Sequence, residues 1–316
     1  MITCEDWRDA PSDVVAPLFD AECARWYDSL GWDYRPSCRL LDAARRKGRL
    51  SGLLVRDDRG DVVGWTYFLL NQETLQIGNL VGKDAAAVRR LLRAVAHAPE
   101  ARKARRLWCF LYPNLPAVES TLVRTRFAIE RHAYLQRPLC GEPAVAASRR
   151  PSENREYVLR GWAPQLIPNL ARLFARAYQG MPEARCFAPD GHGEQWTTYV
   201  GHLVQTPACG RFEGALSLLA ETPAGELAGA VLVTTLADRT AHIAQMAVAV
   251  EHRKQGLGDR LVRSVCERAR EARYDRVTLL VAESNDPARR LYRRLGFESA
   301  ARFLFAERDA RAGTGP

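Results

Sequence analysis

The sequence predicts an α/β (α+β) chain of two tandem domains, each a mixed, mostly antiparallel central sheet flanked by helices. Three observations predict it. Period-two and period-3.6 apolar patterns alternate along each half. The same element order recurs in both halves. A stretch with three prolines, small residues and no apolar period lies between them, within 137–156. The domains are expected at 1–140 and 155–316, with a linker at 141–154.

In the second half, Leu166, Ile167, Leu170, Leu173, Phe174 and Ala177 recur at helical spacing, and Gly180 can end that helix. A second helical pattern spans Trp196–Val204. Strands follow at Ala215–Glu221 and Leu227–Thr235, joined by the turn Thr222-Pro223-Ala224-Gly225. A strand over His242–Val250 runs into a glycine loop. The helix after it carries Leu257, Leu261, Val262, Val265 and Ala269 on one stripe. A strand Val277–Ala282, a short helix Pro287–Leu295 and a last strand near Ala301–Ala306 complete the half.

The first half repeats this plan. Strands at Leu53–Asp57 and Val62–Leu70 flank Asp58-Arg59-Gly60. A strand Leu75–Val81 precedes a helix opened by Asp84, and an apolar strand covers Leu107–Tyr112. At its exit, Asn114-Leu115-Pro116-Ala117 matches Asn285-Asp286-Pro287-Ala288 in the corresponding place, which points to internal duplication.

Composition narrows the class. The 316 residues carry a formal charge of +9, from 46 Lys+Arg against 37 Asp+Glu. The basic residues are spread without a run, so nucleic acid is not an expected partner, and a phosphorylated cosubstrate suits the excess. The eight Cys show no zinc or disulfide spacing. That fits a reducing cytoplasm and predicts no metal. No apolar run reaches membrane-spanning length.

Two motifs carry chemistry. In the first, an apolar strand enters Arg253-Lys254-Gln255-Gly256-Leu257-Gly258 and then a helix. Unpaired N–H groups at a helix start carry the positive end of its dipole, and glycines let the backbone approach a phosphate. In the second, Asn285-Asp286-Pro287-Ala288 opens a helix that reaches Tyr292 and ends at Leu295-Gly296-Phe297.

Together the motifs resemble the GNAT (N-acetyltransferase) superfamily. Its first signature, Gln/Arg-x-x-Gly-x-Gly/Ala, falls on Arg253, Gly256 and Gly258. Its second, Asn-x-x-Ala-x-x-x-Tyr-x-x-x-Gly-Phe, falls on Asn285, Ala288, Tyr292, Gly296 and Phe297. The tandem arrangement is similar to that of mycothiol synthase, by architecture rather than by substrate residues. The resemblance implies an acetyl-CoA-dependent N-acetyltransferase that acts on a primary amine of a small molecule by direct attack in a ternary complex. It implies that Met246, Ala247 and Val248 pair with the pantetheine arm and polarise the thioester. Arg253, Lys254, Gln255, Gly256, Leu257, Gly258 and Asp259 form the pyrophosphate cradle. Asn285 and Arg289 complete the acetyl-CoA site, and Tyr292 protonates the leaving thiolate.

The general base is open. His242 stands where relatives often carry Glu, eleven residues before Arg253, and Glu283 at the end of the next strand is the alternative. Asp190, His192 and Glu194 occupy a loop that faces substrate in this superfamily. Ribosomal-protein N-terminal acetyltransferases place a catalytic Glu five residues before the signature Asn, where this chain has Leu280. A non-catalytic acyl-CoA-binding scaffold and a protein N-terminal acetyltransferase are the competing readings.

In the first half, Gly82-Lys83-Asp84 replaces the glycine loop and Thr121 replaces the tyrosine. That repeat is expected to be degenerate, shaping the substrate cleft or the surface of a homodimer.

Overall fold

A computed structural model describes residues 3–139, 157–206 and 209–310. The predicted linker, 141–154, lies outside the described residues. Among those described, no helix is long and apolar enough to cross a membrane.

The elements in chain order are β1 (Thr3–Asp6), α1 (Ser12–Leu30), α2 (Arg35–Arg46), β2 (Ser51–Arg56), β3 (Val62–Asn71), β4 (Thr74–Ile77), β5 (Val81–Gly82), α3 (Ala85–His97), β6 (Arg106–Leu111), α4 (Pro116–Arg124) and β7 (Ala128–Pro138). The second set is β8 (Val158–Gly161), α5 (Ile167–Ala177), α6 (Gly193–Gln205), β9 (Arg211–Phe212), β10 (Leu218–Glu221), β11 (Leu227–Ala237), β12 (Thr240–Val248), α7 (Leu257–Glu271), β13 (Arg276–Ala282), α8 (Asp286–Arg294) and β14 (Glu298–Asp309).

The described residues fall into two compact units. The first draws on Met1–Arg25, Arg35–His132 and Arg302–Pro316, and the second on Trp26–Tyr34 and Ala133–Ala301. The units are therefore not simple halves of the sequence. Most of β14 is counted with the first unit and the end of β7 with the second.

The first unit's sheet runs β1-β2-β3-β4-β6-β14, with β5 paired to β3. Its β4–β6 pair is parallel, and the other pairs of registered strands are antiparallel. Helix α3 buries Val88, Leu91, Leu92 and Val95 against it. The second unit's sheet runs β7-β13-β12-β11-β10-β8, with β9 on β11. Here β12–β13 is parallel. Helix α7 buries the anticipated stripe, Leu257, Leu261, Val262, Val265 and Ala269, in one core layer. On the other face α5 and α6 pack Leu170, Phe174, Trp196 and Val200 against Leu219, Ala230 and Leu232.

Corresponding residues of the two units share detailed geometry, which supports duplication beyond element order. Gly64 and Gly229 are equivalent. A Cβ on Gly64 would meet Val81 O at 3.1 Å and Leu91 Cδ1 at 3.2 Å, and one on Gly229 would meet Ala247 O and Leu261 Cδ1, each at 3.2 Å. Both middle strands also carry one extra residue. Between the pairs Phe68↔Ile77 and Trp65↔Val81, three residues face two. In the second unit the register slips between Leu232↔Gln245 and Val233↔Ile243. An amide side chain sits at each bulge. Asn79 Oδ1 accepts from Tyr67 N at 3.0 Å, and Gln245 Oε1 accepts from Met246 N at 3.1 Å. Asn79 Nδ2 is buried with no acceptor among the described residues, and the buried Gln245 amide faces the Tyr199 hydroxyl.

Two strand expectations shift. The strand expected over Leu75–Val81 is two pieces, β4 and β5, because Gly78-Asn79-Leu80 forms the bulge. The strand expected over His242–Val250 ends at Val248, where the chain turns into a 3₁₀ segment, Val250–His252.

Candidate active site

Strands β12 and β13 pair only from Thr240↔Arg276 to Ile243↔Leu279. Beyond the bulge they part, so the edge of β12 from Ala244 to Val248 has no strand on its β13 side. Parallel strands that separate in mid-sheet leave an edge of unpaired backbone groups, suited to an extended ligand.

That edge is partly occupied by side chains. Met246 N donates to Gln245 Oε1 at 3.1 Å, so within the expected stretch Met246–Val248 this one N–H already has an acceptor. Tyr178 Oη donates to Gln245 Oε1 at 2.7 Å and lies 3.3 Å from Met246 O. Val248 O accepts from Arg253 Nε at 3.2 Å, and Arg253 Nη2 reaches Ala177 O at 2.6 Å. Arg253 thus clasps the end of α5 to the end of β12, and its guanidinium is committed to carbonyls.

The glycine loop has the shape its composition suggests. Lys254 and Gly256 take φ of +61° and +79°. Gly256 is the left-handed N-cap of α7 and has no side-chain cap. The first hydrogen bond returning to the loop is Arg260 N to Gly256 O at 3.0 Å. From Lys254 to Asp259 no backbone N–H meets an acceptor among the described residues. Six such amides at a helix start form an anion cradle. Gln255 Oε1 accepts from Tyr157 Oη at 2.7 Å, and that hydroxyl is also 2.9 Å from His252 Nδ1. Leu257 and Asp259 are buried, the latter bonded by Arg263 Nε at 2.6 Å. Gly258 lies under the edge strand, where a Cβ would stand 3.1 Å from Met246 Cε and 3.4 Å from Leu291 Cδ2.

Helix α8 delivers the second motif. Asn285 caps it, Oδ1 accepting from Ala288 N at 3.2 Å. Its other end, Nδ2, donates to Glu183 Oε1 at 2.9 Å. Two turns on, Tyr292 is buried with Oη 3.6 Å from Met246 Sδ. Burial pushes its pKa up to about 12, so the phenol keeps its proton at neutral pH. Arg289 is exposed and bonds Glu283 O at 3.1 Å.

The two base candidates from the sequence, His242 and Glu283, sit in different surroundings. His242 is 3% exposed. Its Nδ1 is 2.9 Å from Thr278 Oγ1, and its ring packs against Trp32 and Tyr134. Burial lowers its pKa to about 3, which makes it a neutral, weakly basic core residue. The alternation of β12 places His242 before the bulge and Met246 after it. Glu283 follows β13 and is half-buried. Asp190 pairs with Gln195 at 2.9 Å, and His192 and Glu194 are exposed.

Sequence reasoning missed Tyr178, Glu183 and Gln245. Glu183 sits in the 3₁₀ segment Pro182–Cys186 between α5 and α6 and is 6% exposed. Its Oε2 has no protein partner among the described residues. It is near enough to Tyr178 that its charge adds to the burial that raises the Tyr178 pKa. A buried carboxylate without a cation is costly to the fold and marks functional sites. A polar Gln within the apolar run His242–Val250 was the available signal for Gln245.

The second unit thus brings together a parted sheet edge, a glycine cradle and a capped helix. The acetyltransferase (GNAT) family profile matches residues 173–297, which lie within the second unit. No curated protein matches the sequence at a significant level. Solved structures show the fold over most of the chain. A GCN5-related N-acetyltransferase from Sphaerobacter thermophilus is 17% identical with a TM-score of 0.62, over 84% of this chain and 82% of that one. A tandem GNAT protein from the clavulanic acid biosynthesis pathway, solved without AcCoA, is 20% identical with a TM-score of 0.54, over 84% and 83%. A GNAT-family acetyltransferase from Colwellia psychrerythraea is 12% identical with a TM-score of 0.54, over 97% and 99%.

Proposed function

We propose that the chain is an acetyl-CoA-dependent N-acetyltransferase acting on a primary amine of a small molecule, with its chemistry in the second unit. The observation that carries this reading is the run of amides from Lys254 to Asp259 with no acceptor among the described residues, next to the stretch of β12 that β13 leaves without a strand partner. The residues present suit the cosubstrate. The amides match a pyrophosphate, the Ala247–Val248 edge matches the amides of a pantetheine arm, and Gly258 keeps the floor open. When bound, acetyl-CoA supplies an activated acyl carbon and a thiolate leaving group.

The protein's part is positioning and proton handling. Glu183, with one oxygen held by Asn285 and the other open, attracts an ammonium into the site and takes its proton. The free amine then forms the C–N bond as the C–S bond breaks, and its second proton leaves nitrogen for the departing sulfur, which is released as the thiol. Tyr292 holds its proton beside Met246 and donates a hydrogen bond to the departing sulfur. His242 serves as a packing residue in this account. Deep burial of Glu183 favours a slender amine over a folded protein surface.

In the first unit the corresponding place, a cleft of about 360 Å³ lined by Gly64, Val81, Gly82, Lys83 and Asn114, is built differently. Asp84 Oδ1 accepts from Ala86 N and Ala87 N at 2.8 and 2.9 Å, so its own carboxylate fills the helix start. Asn114 Nδ2 caps Gly82 O at 2.7 Å, where the second unit has its open edge. The test is thiol release from acetyl-CoA across a panel of primary amines. Turnover with a small amine supports the reading, and binding without turnover across the panel favours a non-catalytic scaffold.

A further inference from the structure

In the first unit two thiols meet outside this site. Cys23 on α1 and Cys38 on α2 bring their Sγ atoms to 3.3 Å. Both line a cleft of about 490 Å³ between the two helices, with Asp20, Arg35, Arg39, Asp42 and Arg46. Cys38 is 5% exposed, and Cys23 is half-buried nearer the opening. Two small thiols can touch merely as core filler, as single buried Cys109 and Cys266 do in their apolar layers. This pair differs in opening onto a charged cleft. Arg39 is exposed and makes no bond among the described residues, while Arg46 shares Asp42 with Arg45 at 3.0 Å each.

A disulfide needs its sulfurs at about 2.05 Å. Closing from 3.3 Å requires a shift of little more than 1 Å, within reach of small side-chain rotations. Three guanidinium groups (Arg35, Arg39, Arg46) against two carboxylates (Asp20, Asp42) leave the cleft with an excess of positive charge, which attracts an anionic partner.

We infer that Cys23 and Cys38 form a dithiol site that exchanges with anionic low-molecular-weight disulfides and closes to an intrachain disulfide. The Cys23 thiolate attacks one sulfur of the incoming disulfide, forming a mixed disulfide, and the first small thiol leaves carrying the proton Cys23 gave up. Cys38 then loses its proton and attacks Cys23 Sγ, and the second small thiol leaves with that proton. Two electrons and two protons pass from the protein to the small disulfide. Burial and the neighbouring thiol push the Cys38 pKa up, which suits the later, resolving role. The closed bridge would enclose Trp26–Tyr34, the segment counted with the second unit, whose Trp32 packs on His242.

The test treats the full-length reduced chain with oxidised glutathione, or with cystamine as a cationic disulfide, and follows peptides and intact mass. Wild type is expected to lose about 2 Da in a Cys23–Cys38 cross-linked peptide, restored by dithiothreitol. Glutathione disulfide should react roughly 10-fold faster than cystamine at low salt. Cys38→Ser should stop at a glutathione adduct on Cys23, and Cys23→Ser should leave Cys38 unmodified. Absence of the cross-linked peptide in wild type at equilibrium overturns the site, whatever the variants do. Faster reaction with cystamine overturns its anionic preference.

Discussion

Replacing Tyr292 with Phe separates a proton donor from a packing residue. The ring stays, edge-on to Phe297 at 5.7 Å, and the lost hydroxyl contacted only a thioether sulfur, a weak acceptor. Stability should therefore change by less than about 1 kcal/mol. The effect on rate follows from acidity. Tyr292 sits at a pKa of about 12, whereas an ordinary thiol is near 8.5. Complete transfer to the thiolate is thus uphill by roughly 3.5 units, or about 5 kcal/mol. What remains is a hydrogen bond to a charged sulfur, about 1.5–3 kcal/mol. That converts to a kcat roughly 10- to 150-fold lower, with KM for the amine little changed. Thiol release at saturating acetyl-CoA measures it, with a thermal melt as control. A kcat within about 3-fold of wild type would remove Tyr292 from the mechanism. A loss beyond ~10⁴-fold would mean full acid catalysis, and the acidity argument would fail.

Three further outcomes can be measured. Glu183→Gln keeps an oxygen for Asn285 Nδ2 but removes the charge, so kcat/KM at neutral pH should fall roughly 100-fold while acetyl-CoA affinity holds; unchanged turnover would contradict the assignment. His242 has a folded pKa of about 3 against ~6.5 unfolded. The unfolded chain binds the extra proton between those values, so stability is full above pH 6.5 and declines as pH falls toward 3. Between pH 6.5 and 5 the loss is about 2 kcal/mol, and urea midpoints should show it in wild type but not in His242→Gln. Oxidation across Cys23 and Cys38 should raise the thermal midpoint by several degrees, because it closes a short loop in the unfolded chain; a lowered midpoint would indicate strain.

Much of the fold was legible because it rests on local pattern. The α7 stripe, the turn at Thr222–Gly225 and the paired Asn-x-Pro-Ala turns are short-range signals, and each has its counterpart in the structure. Helix α1 was not, for Pro17 lies inside it and reads as a breaker. The exchange of residues between the two units also leaves no local trace. The backbone part of the site was legible for the same reason, since glycine spacing sets the cradle directly. The side-chain part was not. Tyr178 reaches Gln245 across 67 residues and Asn285 reaches Glu183 across 102, and no periodicity encodes such pairings. His242 was placed by alignment to a motif, which fixes its register on β12 but not the aromatic pocket that closes over it.

The most direct test of the account is a calorimetric titration of the full chain with acetyl-CoA, beside a folded Gly258→Trp variant whose indole must displace Met246 and Leu291 into the cradle. One site per chain in wild type, lost in the variant, is the predicted result. Two sites would contradict the degenerate first unit, and no binding at millimolar acetyl-CoA would contradict the acetyltransferase reading itself.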